Sequence, residues 1–244
     1  MTKLKWVAIC SILTCAPTIA ADATIITVSN TNDSGPGSLR QALVDTTDGD
    51  RIDATGVSGV ITLTGGELLV DKSVTINGAG ADVLAVDGNA TSSVVQISPG
   101  ETVTISRLAI RNGHADFGSA IFNSGTASLT IVSSDLSANT AGLCGGIFNA
   151  GTLNISNSTV SGNSANDGGG TYSTGPNTTI INSTFSGNAA LAGGGGSFNH
   201  GALQITNCTF SDNSADGTVG ILNTGDTGNW KFCPECRRFG REYF

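Results

Sequence analysis

The feature that most constrains this chain is that it repeats itself about every 25 residues. Residues 153–163, 178–188 and 203–213 are the same phrase three times, and residues 129–139 are a worn fourth copy. Equivalent side chains fall into columns. Ile131, Ile155, Ile180 and Ile205 are 24, 25 and 25 residues apart. Leu136, Val160, Phe185 and Phe210 keep that spacing, as do Asn139, Asn163, Asn188 and Asn213. A second block supplies Phe122, Phe148, Tyr172, Phe198 and Leu222 at intervals of 26, 24, 26 and 24. Within each copy, apolar positions alternate over three to five residues between Gly, Asn and Ser, the mark of short strands joined by bends. A helical repeat would need unbroken 3.6-residue periodicity and far less Gly and Asn.

One such unit cannot bury its own apolar residues, so neighbouring units must stack. The fold expected is all-β: a single-stranded, right-handed parallel β-helix of about eight coils with a short N-terminal capping helix. Coils stacked at the strand spacing of about 4.7–4.9 Å make a rod about 38 Å long. Equal phase sets Ile on Ile and ring on ring, so both the aliphatic and the Phe122–Phe198 columns are expected inside. An Asn at one bend of every coil can bond its amide to the next, a structural ladder at Asn139, Asn163, Asn188 and Asn213.

Composition agrees with backbone packed on backbone. The chain has 34 Gly, 12% charged and 5% aromatic residues, and a mean hydropathy of +0.11. Disordered chains are charge-rich and apolar-poor, so disorder is excluded. The glycine runs 168–170 and 193–196 are expected where the backbone bends with positive φ. They and Asn77-Gly78-Ala79-Gly80 are not phosphate loops, since none lies between a strand and a long amphipathic helix. Asn157-Ser158-Thr159, Asn182-Ser183-Thr184 and Asn207-Cys208-Thr209 match the N-glycosylation pattern, but recurrence in phase favours a ladder role.

Residues 1–20 read as an export signal: Lys3 and Lys5, an apolar run from Trp6 to Leu13, then small residues up to Ala20. Residues 21–60 read as the N-terminal cap and first strand, with a helix over Ser38–Val44, Ser38 as N-cap and Gln41 completing a capping box. The β-helix repeats occupy 61–228. Residues 229–244 are a different text, which we read as a truncated or frame-shifted end, with a genuine cap as the alternative, and its lone Cys233-x-x-Cys236 is a poor zinc site. Cys144 and Cys208 are more than two turns apart and are not expected to pair.

The pairing of Gly145-Gly146-Ile147 with Val160-x-x-Asn163, and of residues 193–196 with Phe210-x-x-Asn213, resembles the polymorphic outer membrane protein repeat. Phe185-x-x-Asn188 is a further match, while Leu136 and Val160 stand where that repeat has Phe. Residues 32–42 look like the N-terminal cap of large bacterial secreted β-helix proteins. The resemblance covers roughly residues 24–223. It implies a β-helix, export, and adhesin-like relatives delivered by a C-terminal β-barrel.

Charge and chemistry narrow the function. The formal net charge is −8, and no Lys or Arg lies between Arg111 and Lys231. Nucleic acid is therefore not an expected partner, and no segment after the signal is long and apolar enough to span a membrane. Carbohydrate lyases and hydrolases on this fold need converging carboxylates, often with Lys or Arg. Asp116, Asp167 and Asp216 fall about two coils apart; Asp135 and Asp212 sit at other phases. His114 and His200 read as incidental turn residues. Asp45, Asp48, Asp50 and Asp53 read as a solvated loop. We therefore expect no catalytic, metal or cofactor site. The expected function is an adhesin-like, secreted or cell-surface binding module presenting a rigid face to host or environmental glycans or surface proteins. The alternative is a polysaccharide-active enzyme. Ice binding meets Thr159, Thr184 and Thr209 in one column, but Asp135 interrupts it.

Overall fold

The computed structural model describes residues 23–225. The expected leader at 1–20 and the tail at 229–244, with Cys233 and Cys236, lie outside the described residues. Within them the chain winds into a parallel β-solenoid of about eight turns of about 25 residues, with one short helix near its N-terminus. Sheet A stacks eight strands, from Ile25–Thr27 through Arg51–Asp53 to Ala202–Thr206. Sheets B and C have seven strands each, and sheet D has four two-residue strands. The solenoid thus starts at Ile25, before the repeat becomes legible, and the helix is inserted between its first two rungs.

Alternation decides which side chains go in. In the sheet A strand Thr152–Ser156, Leu153 and Ile155 are buried while Thr152, Asn154 and Ser156 turn outward. Ile105, Ile131, Ile155, Ile180 and Ile205 pair in register through the stack, and all are buried. Each such side chain contributes roughly 1.5–3 kcal/mol through burial, but only because a neighbouring coil covers it. In sheet B, Leu136, Val160 and Phe185 point inward in the same way, and Phe185 stacks on Phe210 at 4.8 Å between centroids.

The Asn column forms the expected ladder. Asn139 donates its backbone N–H and its Nδ2 to Asn163 Oδ1 at 3.0 and 2.9 Å. Asn163 does the same to Asn188, at 3.1 and 3.0 Å, and Asn188 to Asn213, at 3.0 Å each. The second Nδ2 hydrogen goes to a strand carbonyl of the preceding coil: Ile110, Leu136, Val160 and Phe185 in turn. Buried amides with every group engaged are tolerated, which is why a poor strand former appears once per turn.

Two expectations need correction. Of the glycines at 168–170 and 193–196, only Gly168 has positive φ, at 61°. Gly169, Gly170, Gly195 and Gly196 are needed because coils touch through their backbones. A Cβ on Gly170 would stand 2.3 Å from the Gly196 carbonyl oxygen, and one on Gly146 would stand 2.0 Å from that of Gly170. The three N-x-Thr segments also divide differently. Asn157, Asn182 and Asn207 are exposed corners at φ 52°, 51° and 52°. The buried ladder is made by the residues after them, with Ser158 and Ser183 oxygens accepting from the backbone N–H groups of Ser134 and Ser158. Cys208 continues this column, its thiol donating to the Ile180 and Thr206 carbonyls. Cys144 is buried elsewhere, and no disulfide links the two.

Helix α1, Leu39–Asp45, caps the first coil with Leu39, Ala42 and Leu43. Half of the expected capping box forms. Ser38 Oγ accepts from the Gln41 N–H at 3.1 Å, but the Gln41 amide turns to Asp45 Oδ1 at 2.8 Å instead of returning to Ser38. A clasp fixes the cap: Arg40 donates to Asp33 Oδ1 at 2.7 Å and to the Gly66 and Glu67 carbonyls, also at 2.7 Å. Asp33 Oδ2 takes the Thr64 and Gly65 N–H groups. Asp50, expected in a solvated loop, is buried and accepts from the Thr24 and Thr47 N–H groups at 2.7 and 2.8 Å.

Candidate binding faces

The largest departure from expectation is in sheet C. Its strands are three residues long, so two side chains point one way and one the other. In Ile121–Asn123 and Ile147–Asn149 the outer pair, Ile and Asn, is buried, and the central Phe faces out. Phe122, Phe148, Tyr172 and Phe198 therefore form an outer column, continued by Leu69 and Gln96 on one side and Leu222 on the other. The placement of these rings in the interior is corrected: they are half-buried, and the interior receives an additional polar ladder in their place. Asn123 Nδ2 donates to Asn149 Oδ1 at 2.6 Å, Asn149 Nδ2 to Ser173 Oγ at 2.8 Å, and Asn199 Nδ2 to Asn223 Oδ1 at 3.0 Å. Asn123 Oδ1 has no protein partner, because Ile97 holds the equivalent place in the preceding coil. Asn123, Asn149 and Asn223 each share parity with an Ile two residues earlier, and Asn199 with Ser197.

The outer rings cover one another. Phe122 and Phe148 stack with centroids 5.0 Å apart and planes 14° from parallel; Phe148 and Tyr172 stack at 5.8 Å and 8°. At Phe198 the stack turns edge-on, at 5.0 Å and 76° from Tyr172. His200 explains the turn. It packs on Phe198 at 4.6 Å and bridges coils through Tyr172 Oη at 3.1 Å and Thr224 Oγ1 at 2.7 Å. A residue expected to be incidental thus closes one end of the ring column.

The turn that precedes sheet C widens the column into a face. Phe117 is 50% exposed and meets Phe148 edge-on at 6.0 Å, and Leu191 is 65% exposed. Among the same turns lie Asp116, Asp167 and Asp216. Asp167 Oδ1 and Phe198 Cδ1 both lie 2.7 Å from the point where a Cβ on Gly193 would stand. Burial first, then the Asp167 charge and Cys144, push the Tyr172 hydroxyl above its ordinary pKa. Scattered apolar residues on a surface mean little, but a contiguous apolar patch marks an interaction site.

The outward face of sheet A is different in kind. From Thr102 to Thr206 its outward positions carry no charge, as in Thr102 and Thr104, Ser128 and Thr130, Thr152 and Asn154, and Asn177 and Thr179. Sheet B brings Thr159, Thr184 and Thr209 into register with Asp135. One shallow, open recess lies at a corner lined by Asp87, Asn112, His114 and Thr140. Asp87 is committed there to the structure, accepting from Arg111 at 3.1 Å and Asn112 at 2.7 Å. Among the described residues, Asp116, Asp167 and Asp216 do not belong to any group of three or more metal-ligating side chains. No described helix is long and apolar enough to cross a membrane.

No protein-family model matches this chain, and no curated protein matches it in sequence.

Proposed function

We propose that the chain is an exported, adhesin-like binding module, secreted or displayed at the cell surface, that engages a partner through the ring face of sheet C. One observation carries this reading: a column of rings spans four successive coils on the outside of a rod whose core does not use them. Sequestering apolar side chains raises solubility, so rings kept at the surface over many coils point to a contact surface. The rod supplies rigidity, which limits the ordering cost of binding.

The glycan half of the expectation fits sheet A better than sheet C. A sugar ring stacks on a free aromatic face, and Phe148 has both faces covered by Phe122 and Tyr172. Sheet A instead offers uncharged hydroxyls and amides in regular rows.

The test is a screen of the purified full chain against neutral and acidic polysaccharides and immobilised proteins, following reducing ends and the absorbance of unsaturated products. Binding without turnover, weakened by Phe148→Ser for a protein or by Thr130→Glu for a glycan, is the expected result. Turnover abolished by Asp116→Ala or Asp167→Ala overturns the reading in favour of a polysaccharide-active enzyme.

A further inference from the structure

The ring face of sheet C carries a pattern that identifies the class of its partner, provided that this face is the binding surface proposed above. Residues 112–225 contain Asp116, Asp135, Asp167, Asp212 and Asp216 and neither Lys nor Arg. Three of the five, Asp116, Asp167 and Asp216, fall in the turns that border the ring column. No ion pair engages any of the three among the described residues; the ion pairs there are at Asp33, Asp71 and Asp87. The carboxylates therefore lie beside apolar surface with their charge uncompensated.

Ring orientation supplies the other half. Because the stacked rings Phe122, Phe148 and Tyr172 turn their edges outward, the surface those three offer suits aliphatic side chains, or aromatic rings meeting the edges face-on, and gives a pyranose no ring face of theirs to lie flat upon. Phe117 and Leu191 extend that surface on the side that also holds the acids. We infer that the sheet C face takes a peptide or protein segment in which apolar side chains alternate or cluster with Lys or Arg. The apolar groups pack along the rings, and the cations lie over the turns, two coils apart, that hold Asp116 and Asp167. Complementary charge at such a rim steers encounter and rejects acidic competitors, while the apolar strip supplies most of the affinity.

The experiment measures binding of the purified full chain to three short synthetic peptides, alternating Leu–Lys, Leu–Glu and Ser–Lys, and to a neutral cello-oligosaccharide. Phe148→Ser probes the ring column. Phe117→Ser, outside that stack and half-exposed, probes the face without touching the ladder, and circular dichroism confirms that each variant folds. The expected result is binding of the Leu–Lys peptide alone. Each ring variant weakens it by about tenfold, the Asp116→Asn/Asp167→Asn pair by about threefold, and added salt lowers it further. Equal binding of the Leu–Glu peptide, still sensitive to Phe117→Ser, overturns the cationic class but leaves the binding face standing. Displacement of the peptide by the oligosaccharide overturns the peptide class in favour of a sugar. Binding that neither ring variant alters, or no binding of any peptide, overturns the inference, and insensitivity to both ring variants across all probes also removes the face itself.

Discussion

Phe185 and Phe148 are the same residue type, in columns that both stack ring on ring, yet one lies inside the solenoid and the other outside. Phe185 is fully buried and stacks on Phe210 at 4.8 Å. Phe148 is half-buried and stacks on Phe122 at 5.0 Å. Their neighbours decide the difference. In Thr184-Phe185-Ser186 the flanking hydroxyls go out, so the ring goes in. In Ile147-Phe148-Asn149 the flanks are an Ile that belongs to the core and an Asn that joins a ladder, so the ring is left outside. A three-residue strand has two positions on one side and one on the other; in sheet C the pair takes the interior, and in sheet B the single central residue does. Residue type alone does not tell a core from a contact surface; parity within the strand does.

The comparison can be broken most severely at Phe185. Phe185→Ala opens a cavity between coils and should cost about 3–5 kcal/mol in denaturant unfolding, whereas a similar loss at Phe148 would mean that the two columns are not different environments. Next comes the interior ladder. Asn163→Ala removes the acceptor for two Asn139 donors and the donor to Asn188 and Leu136. Unmade buried hydrogen bonds of this kind cost about 1–3 kcal/mol each, only partly additive, so a loss of about 2–4 kcal/mol is expected in the same assay.

A smaller effect concerns the cap and the pH at which both columns are compared. Desolvation raises the Asp33 pKa, but the Arg40 bond, followed by those of Thr64 and Gly65, outweighs it and holds the carboxyl below its ordinary value of 3.8. A depressed pKa stabilises the fold above the unfolded value, and that contribution is lost as pH falls through the folded one. Thermal unfolding followed from pH 6 down to pH 3 (about one unit below the unfolded value) should therefore fall less steeply in Asp33→Asn than in the parent. An equal slope would show that the clasp does not tie α1 to the first coils.

The smallest effect is expected at the ring face itself. Phe148→Ala loses stacking with Phe122 and Tyr172, about 0.5–1.5 kcal/mol for each pair, at a half-buried site, and should cost about 1–2 kcal/mol. That is the sharpest contrast with Phe185.

The solenoid was legible because its signal is periodic: Ile155, Val160 and Asn163 recur at the coil length, and stacking is the one arrangement that satisfies all three columns. The capping helix was legible at Ser38 because its N-cap is local chemistry. The ring face was not. The phase of Phe122, Phe148, Tyr172 and Phe198 was correct, but a three-residue strand is too short for alternation to announce its inner side, and hydrophobicity pointed the wrong way. The positive-φ explanation of the glycine runs holds at Gly168 alone; the close approach of Gly170 to Gly196 is a contact between coils and leaves no mark in either segment alone. His200 was invisible because its partners, Tyr172 and Thr224, lie 28 and 24 residues away.

The binding face exists only if the Phe148 column meets solvent while the Phe185 column does not. Site-resolved thiol labelling of Phe148→Cys and Phe185→Cys in the native full chain, read by peptide mass spectrometry, tests this directly. The Phe148→Cys thiol is expected to be modified in the folded protein, more slowly than a free thiol, and the Phe185→Cys thiol only as the protein unfolds. Protection at 148 equal to that at 185 would place the rings in the core and contradict the outward face.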